Sequence, residues 1–171
     1  MEEQKKRFLD NAFLSLAVLY TLQRCKTYRE DAKQAARDQF RAALKQQLAE
    51  LSQQYTVAVD KETHIRNIEF LANSLSEEFA HVLHDGRFRI GSAQKALNLY
   101  LKYLWCAEQI EMPPHCPFDS AIIGELPDCS DIKWTTLDSI EDYRRLAEAA
   151  RVQAAGVSLA QWELETYNSA Y

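Results

Sequence analysis

Glycine and proline are scarce in this chain, four of each in 171 residues. A sheet-rich fold needs many tight turns, so the scarcity predicts helices joined by short connections. No apolar run approaches the ~18 residues of a membrane-spanning helix, and no membrane partner is expected. The opening MEEQKKRFLD carries both signs of charge and leads into no cleavage-site pattern. No secretion signal is therefore expected, and the expected location is cytoplasmic. The four cysteines, Cys25, Cys106, Cys116 and Cys129, form no C-x-x-C pair, which argues against a disulfide framework. His115-Cys116 with Cys129 fits no standard zinc spacing, and His81-x-x-His84 is only a pair on one helix face. No metal and no cofactor are expected. A glycine-rich phosphate loop, H-E-x-x-H, G-x-S-x-G and an EF-hand loop are all missing.

What is present is ordinary globular composition, 47% hydrophobic and 26% charged, at a length that suits one domain. The formal net charge is −5, which disfavours non-specific polyanion binding. The charge is uneven. Residues 1–60 carry +2, residues 61–110 balance to zero, and residues 111–171 carry −7. Between Gly86 and Ala107 stand Arg87, Arg89, Lys95 and Lys102 with no acid, a segment able to meet phosphate. The acidic final third suits a basic protein partner, or solubility alone.

The apolar spacing predicts an all-α, single-domain orthogonal bundle of about six to eight helices over residues 1–171. Phe8, Leu9, Ala12, Phe13, Leu16, Leu19 and Tyr20 recur at helical steps in a first helix, about 2–23. Phe40, Leu44, Leu48, Leu51 and Tyr55 do so in a second, about 30–54. Together they read as a helical hairpin over 1–55, preceding a helical core over 60–171. Tyr55 to Val59 reads as a short strand or an extended link. Asp60 is a plausible N-cap, and Ser74 or Ser76 a second start through Ser-x-x-Glu. His84-Asp-Gly86 suits a helix end. Residues 92–110 form the most apolar helix, which belongs at the centre of a bundle. Pro113, Pro114 and Pro117 then impose an extended loop. Short helices follow over 118–126, from 138 or 139 to 153, and over 159–167.

The informative block runs from Arg87 to Leu126: basic approach, glycine, buried helix carrying Lys95, proline-pinned loop, Asp119, short helix. Gly91-Ser-Ala-Gln-Lys95-Ala-Leu-Asn-Leu-Tyr100 followed by Pro117-Phe118-Asp119-Ser120 resembles the helix-hairpin-helix DNA glycosylase superfamily, nearest its archaeal 8-oxoguanine branch. It also resembles uncharacterised bacterial proteins sharing an A-Q-K-x-L-N-x-x-L-K-Y-L block followed by P-x-D, over about residues 85–167. The glycosylase resemblance implies a glycosylase-like core in which Lys95 and Asp119 are catalytic. The Leu-Pro-Gly-x-Gly hairpin of that superfamily is missing; only Gly91 remains, behind Arg87, Phe88 and Arg89.

Such a pair has a physical rationale. A carboxylate stabilises the positive charge that builds on a sugar as its N-glycosidic bond breaks. A lysine amine in an apolar pocket can become nucleophilic and form a Schiff base. The same two residues also suit a salt bridge clamping loop to helix. DNA is then expected along Arg87, Arg89 and Lys102. Asn98, one turn from Lys95, is expected to orient the loop near His115 to Phe118, with His115 either a proton carrier or a hydrogen-bonding residue. Trp105, Trp134 and Trp162 suit base stacking or core packing. Two functions follow: DNA N-glycosylase or lyase chemistry, or a non-catalytic protein-interaction module in a host–phage or mobile-element setting. A homodimer through the 1–55 hairpin, its second helix pairing with a copy of itself, is a third possibility.

Overall fold

The computed structural model describes residues 1–169, and the expected domain limit at 171 lies outside them. Among the described residues there are seven α-helices and no strand. They are α1 (Glu2–Leu22), α2 (Gln34–Ser52), α3 (Lys61–Phe79), α4 (Ile90–Cys106), α5 (Ser120–Gly124), α6 (Ile140–Gln153) and α7 (Leu159–Ser169). The chain is an all-α helical bundle.

Helix α4 is the axis of the core. Thirteen of its seventeen residues are buried, and it packs on α1, α3, α2 and α6. Gly91, Ala93 and Ala96 keep parts of it narrow, while Leu97, Leu101 and Leu104 fill the space between neighbours. It stops at Cys106, four residues short of the expected end, where Glu108 turns left-handed at φ 57°. Around Phe40 of α2 the rings of Tyr28, Phe79 and Phe88 make edge contacts at 5.4–5.8 Å, joining α2, α3 and the approach to α4.

Helix starts follow local chemistry. The Asp60 carboxylate accepts the Thr63 N–H at 2.9 Å, Ser139 accepts that of Asp142 at 3.2 Å, and Ser158 that of Gln161 at 3.3 Å. The second start expected at Ser74 or Ser76 does not occur, because α3 runs through both. Ser76 instead donates to the Ala72 carbonyl at 2.6 Å and accepts the Phe88 N–H at 2.9 Å, fastening the 87–89 approach onto α3. Helix α3 also ends before His84-Asp85-Gly86, which forms a separate tight turn. Residues 53–56 form a helical turn and 57–60 an extended link, not a strand.

Helix α1 departs most from its sequence pattern. Helices α1 and α2 touch, yet α1 packs far more on α4. Its inward residues are Leu14, Ala17, Val18 and Thr21. The apolar stripe that marks it in the sequence faces out: Phe8 is 71% exposed and Leu19 53%, with Leu9, Leu16 and Tyr20 also exposed. Of that stripe only Ala12 and Phe13 are partly buried, Phe13 by stacking on Tyr103 at 5.6 Å.

Candidate functional site

The N-terminus of α4 leaves backbone N–H groups that need acceptors. Arg89 supplies no side-chain cap, and the acceptors come from the distant 134–138 segment. The Leu137 carbonyl takes the Gly91 N–H at 2.8 Å and the Asp138 carboxylate takes the Ile90 N–H at 3.1 Å. The approach is so close that a Cβ on residue 91 would lie 1.8 Å from the Trp134 carbonyl oxygen. Gly91, met in the sequence as the remnant of a missing hairpin, is thus required by the backbone of Trp134.

One turn further, α4 holds the loop that carries Asp119. The Gln94 amide donates to the Phe118 carbonyl at 2.7 Å and accepts the Phe118 N–H at 3.1 Å, as a neighbouring strand would. Lys95 Nζ donates to Asp119 Oδ2 at 2.8 Å, the side chains being 9% and 32% exposed. Asp119 Oδ1 accepts the N–H groups of Ala121 and Ile122, both at 3.1 Å, and so starts α5. Burial pushes the Asp119 pKa up; the Lys95 charge and these hydrogen bonds outweigh it and leave the value below the ordinary carboxylate range. The two residues meet, but in direct contact. A lysine donating as an ammonium has no lone pair for attack on a sugar carbon. One surface hollow lies at Met1, Lys5 and Phe8, and another between α5 and the 130–134 loop. Neither is lined by Lys95 or Asp119.

Behind this pair lies a buried polar chain. The Asn98 amide donates to Gln94 Oε1 and to the Tyr143 hydroxyl, both at 3.3 Å, and Tyr143 bonds His115 Nδ1 at 2.8 Å. The His115 ring lies 5.0 Å from that of His64, whose Nδ1 is 2.7 Å from the Tyr55 hydroxyl. Tyr55 in turn accepts from Asn67 at 3.1 Å. Asn98 Oδ1 and His64 Nε2 lack a partner in ordinary hydrogen-bond geometry, although Asn98 is near enough to raise the affinity of His64 for a proton. Burial lowers the His115 pKa to about 4, and it pulls His64 well below 6.5 with help from His115. Both rings are neutral at pH 7, which removes His115 as a proton carrier there. Asn98 bonds no backbone group of the loop; it touches Gln94, which holds Phe118, and Tyr143, which bonds His115.

The four cations between Gly86 and Ala107 are all matched. Arg87 holds Asp138 at 3.0 Å and Asn73 at 2.8 Å, and Arg89 holds Asp85 at 3.1 Å. Lys102 lies 2.8 Å from Glu163, whose side chain is 4% exposed. The expected phosphate-facing row of Arg87, Arg89 and Lys102 is therefore balanced by carboxylates, three of the four partners (Asp119, Asp138, Glu163) coming from the acidic final third. Trp105 stands ten residues beyond Lys95, roughly 15 Å along the helix axis, and does not join its surroundings. Trp134 is core, and Trp162 is half-buried. Among the described residues no group of three or more His, Cys, Asp or Glu is placed to hold a metal ion.

No motif assigns a polar role to Gln94, Tyr143, His64, Tyr55 or Asn67. Gln94 and Asn98 share a helix face at four-residue spacing on an otherwise apolar helix, which was a readable signal. His64 and Tyr143 carry none, since their partners lie 9 to 45 residues away. No family model, curated protein or solved structure matches the chain.

Proposed function

We propose that this chain is a non-catalytic protein-interaction module, in which the bundle presents the outward face of α1 to a partner. The observation that carries the reading is the exposed stripe of Phe8, Leu9, Leu16, Leu19 and Tyr20. Exposed apolar patches of several hundred Å² on a folded chain mark contact surfaces. The internal electrostatics agree. Lys95 and Asp119 are spent on fastening the 112–119 loop to α4, and the cations expected to meet DNA are neutralised within the molecule. At a net charge of −5 there is little to draw a polyanion.

The second reading, N-glycosidic bond cleavage by Lys95 and Asp119, draws on one observation, their convergence at 2.8 Å. It requires the ion pair to open by the width of a sugar and Lys95 to lose a proton. Incubation with abasic and damaged-base duplexes under borohydride separates the two readings. The expected result is no covalent adduct and only weak, salt-sensitive DNA binding. A trapped adduct that vanishes in Lys95→Ala would overturn the module reading.

A further inference from the structure

The stripe on α1 has an internal symmetry that selects its occupant. Six of its seven residues form three pairs, Phe8 with Tyr20, Leu9 with Leu19, and Ala12 with Leu16, all centred level with Leu14, while Phe13 is turned aside onto Tyr103. Reversing the helix end for end therefore returns the same pattern: aromatic opposite aromatic, leucine opposite leucine, and the small Ala12 opposite the larger Leu16. In a two-fold antiparallel contact residue i of one copy lies level with residue j of the other and j with i, so each apolar residue of these pairs finds an apolar partner. We infer that α1 packs antiparallel against α1 of a second copy of this chain.

Two further observations fit. The hollow of about 450 Å³ bordered by Met1, Gln4, Lys5, Phe8 and Leu9 lies where Tyr20 of the second copy would arrive. The exposed apolar area is on the order of 500 Å² per chain, so two copies remove about 1,000 Å² from water, the lower bound for a specific interface. The dimer expected from the sequence used the second helix; here the contact is moved to α1, because Phe40, Leu44 and Leu48 of α2 are wholly buried within one chain.

The inference rests on the module reading and names its partner. Light scattering at micromolar concentration should return twice the 19.7 kDa chain mass. Leu16→Glu sits on the exposed face, so helix content should be kept while association weakens by about 100-fold. Leu16→Lys and Ala12→Glu should each be monomeric alone and dimeric when mixed, because only the antiparallel register sets position 16 against position 12. A monomeric wild type overturns the self-pairing, whether or not another protein or a lipid vesicle then occupies the stripe. Variants that stay dimeric, or a mixture that stays monomeric, overturn it too. A borohydride adduct, by contrast, overturns the module reading whatever the mass.

Discussion

Asp119 uses its two oxygens for different purposes. One receives the Lys95 ammonium, and the other starts α5 by accepting two backbone N–H groups. The two partners are therefore not equivalent. Asp119→Ala leaves the Lys95 ammonium, 9% exposed, without a counter-charge and uncaps α5; the expected loss is about 3–5 kcal/mol in urea unfolding. Lys95→Met keeps an apolar stem of similar length and leaves Asp119 its two N–H donors, so about 1 kcal/mol is expected. Equal costs would show that the pair does not act as a clamp. Both residues were legible in the sequence, being the lysine of the apolar helix and the acid after the proline loop. Their direct contact was not, because it depends on Gln94 gripping the Phe118 backbone and setting the loop's height on α4.

At the scale of elements, the start of α4 is completed by a segment more than forty residues away. Trp134 and Leu137 bring their carbonyls, and Asp138 its carboxylate, onto the first turn. Gly91→Ala would place a methyl 1.8 Å from the Trp134 oxygen, a backbone atom with no rotamer to escape into. A loss of at least about 3 kcal/mol in thermal or urea unfolding is expected. Gly124→Ala is the internal control. Nothing lies within 4 Å of its added carbon, and alanine is the better helix former, so a gain of about 0.5–1 kcal/mol is expected. Similar behaviour of the two variants would place the 134–138 segment away from α4. Helix positions were readable from apolar period and caps. Which face of α1 turns inward was not, because both faces are apolar and periodicity marks a stripe without saying what covers it.

Across the whole molecule, the buried polar chain ties α3, α4, the proline loop and α6 into one unit with two neutral histidines inside. This sets the acid limb of stability. His115, held at about 4 by burial, and His64, pulled well below 6.5 by burial and by His115, are bases with depressed pKa values in the folded state. Their contribution is complete above about pH 6.5 and is lost as pH falls toward the folded values, because the unfolded chain takes up protons that the native core refuses. For His115 this amounts to about 3 kcal/mol over the whole interval. Urea unfolding between pH 6.5 and 5 is expected to show a slope approaching two protons per molecule, falling to about one in His115→Gln. A flat profile would mean that the rings are solvated. The same scale accounts for the charge asymmetry of the sequence, since carboxylates of the acidic final third lie against three of the cations of the acid-free segment.

Helical character, most helix starts and the central place of α4 are written in the chain itself, and so is the choice of Lys95 and Asp119 as the two residues to look for. These follow from local period, capping and composition, all short-range along the chain. Packing across the fold settles the rest: the basic segment is neutralised, Lys95 and Asp119 lock together, Gly91 makes room for Trp134, and α1 turns its apolar stripe to solvent. Each of these depends on distances between residues far apart in sequence, and those are fixed by how helices pack once the core has closed.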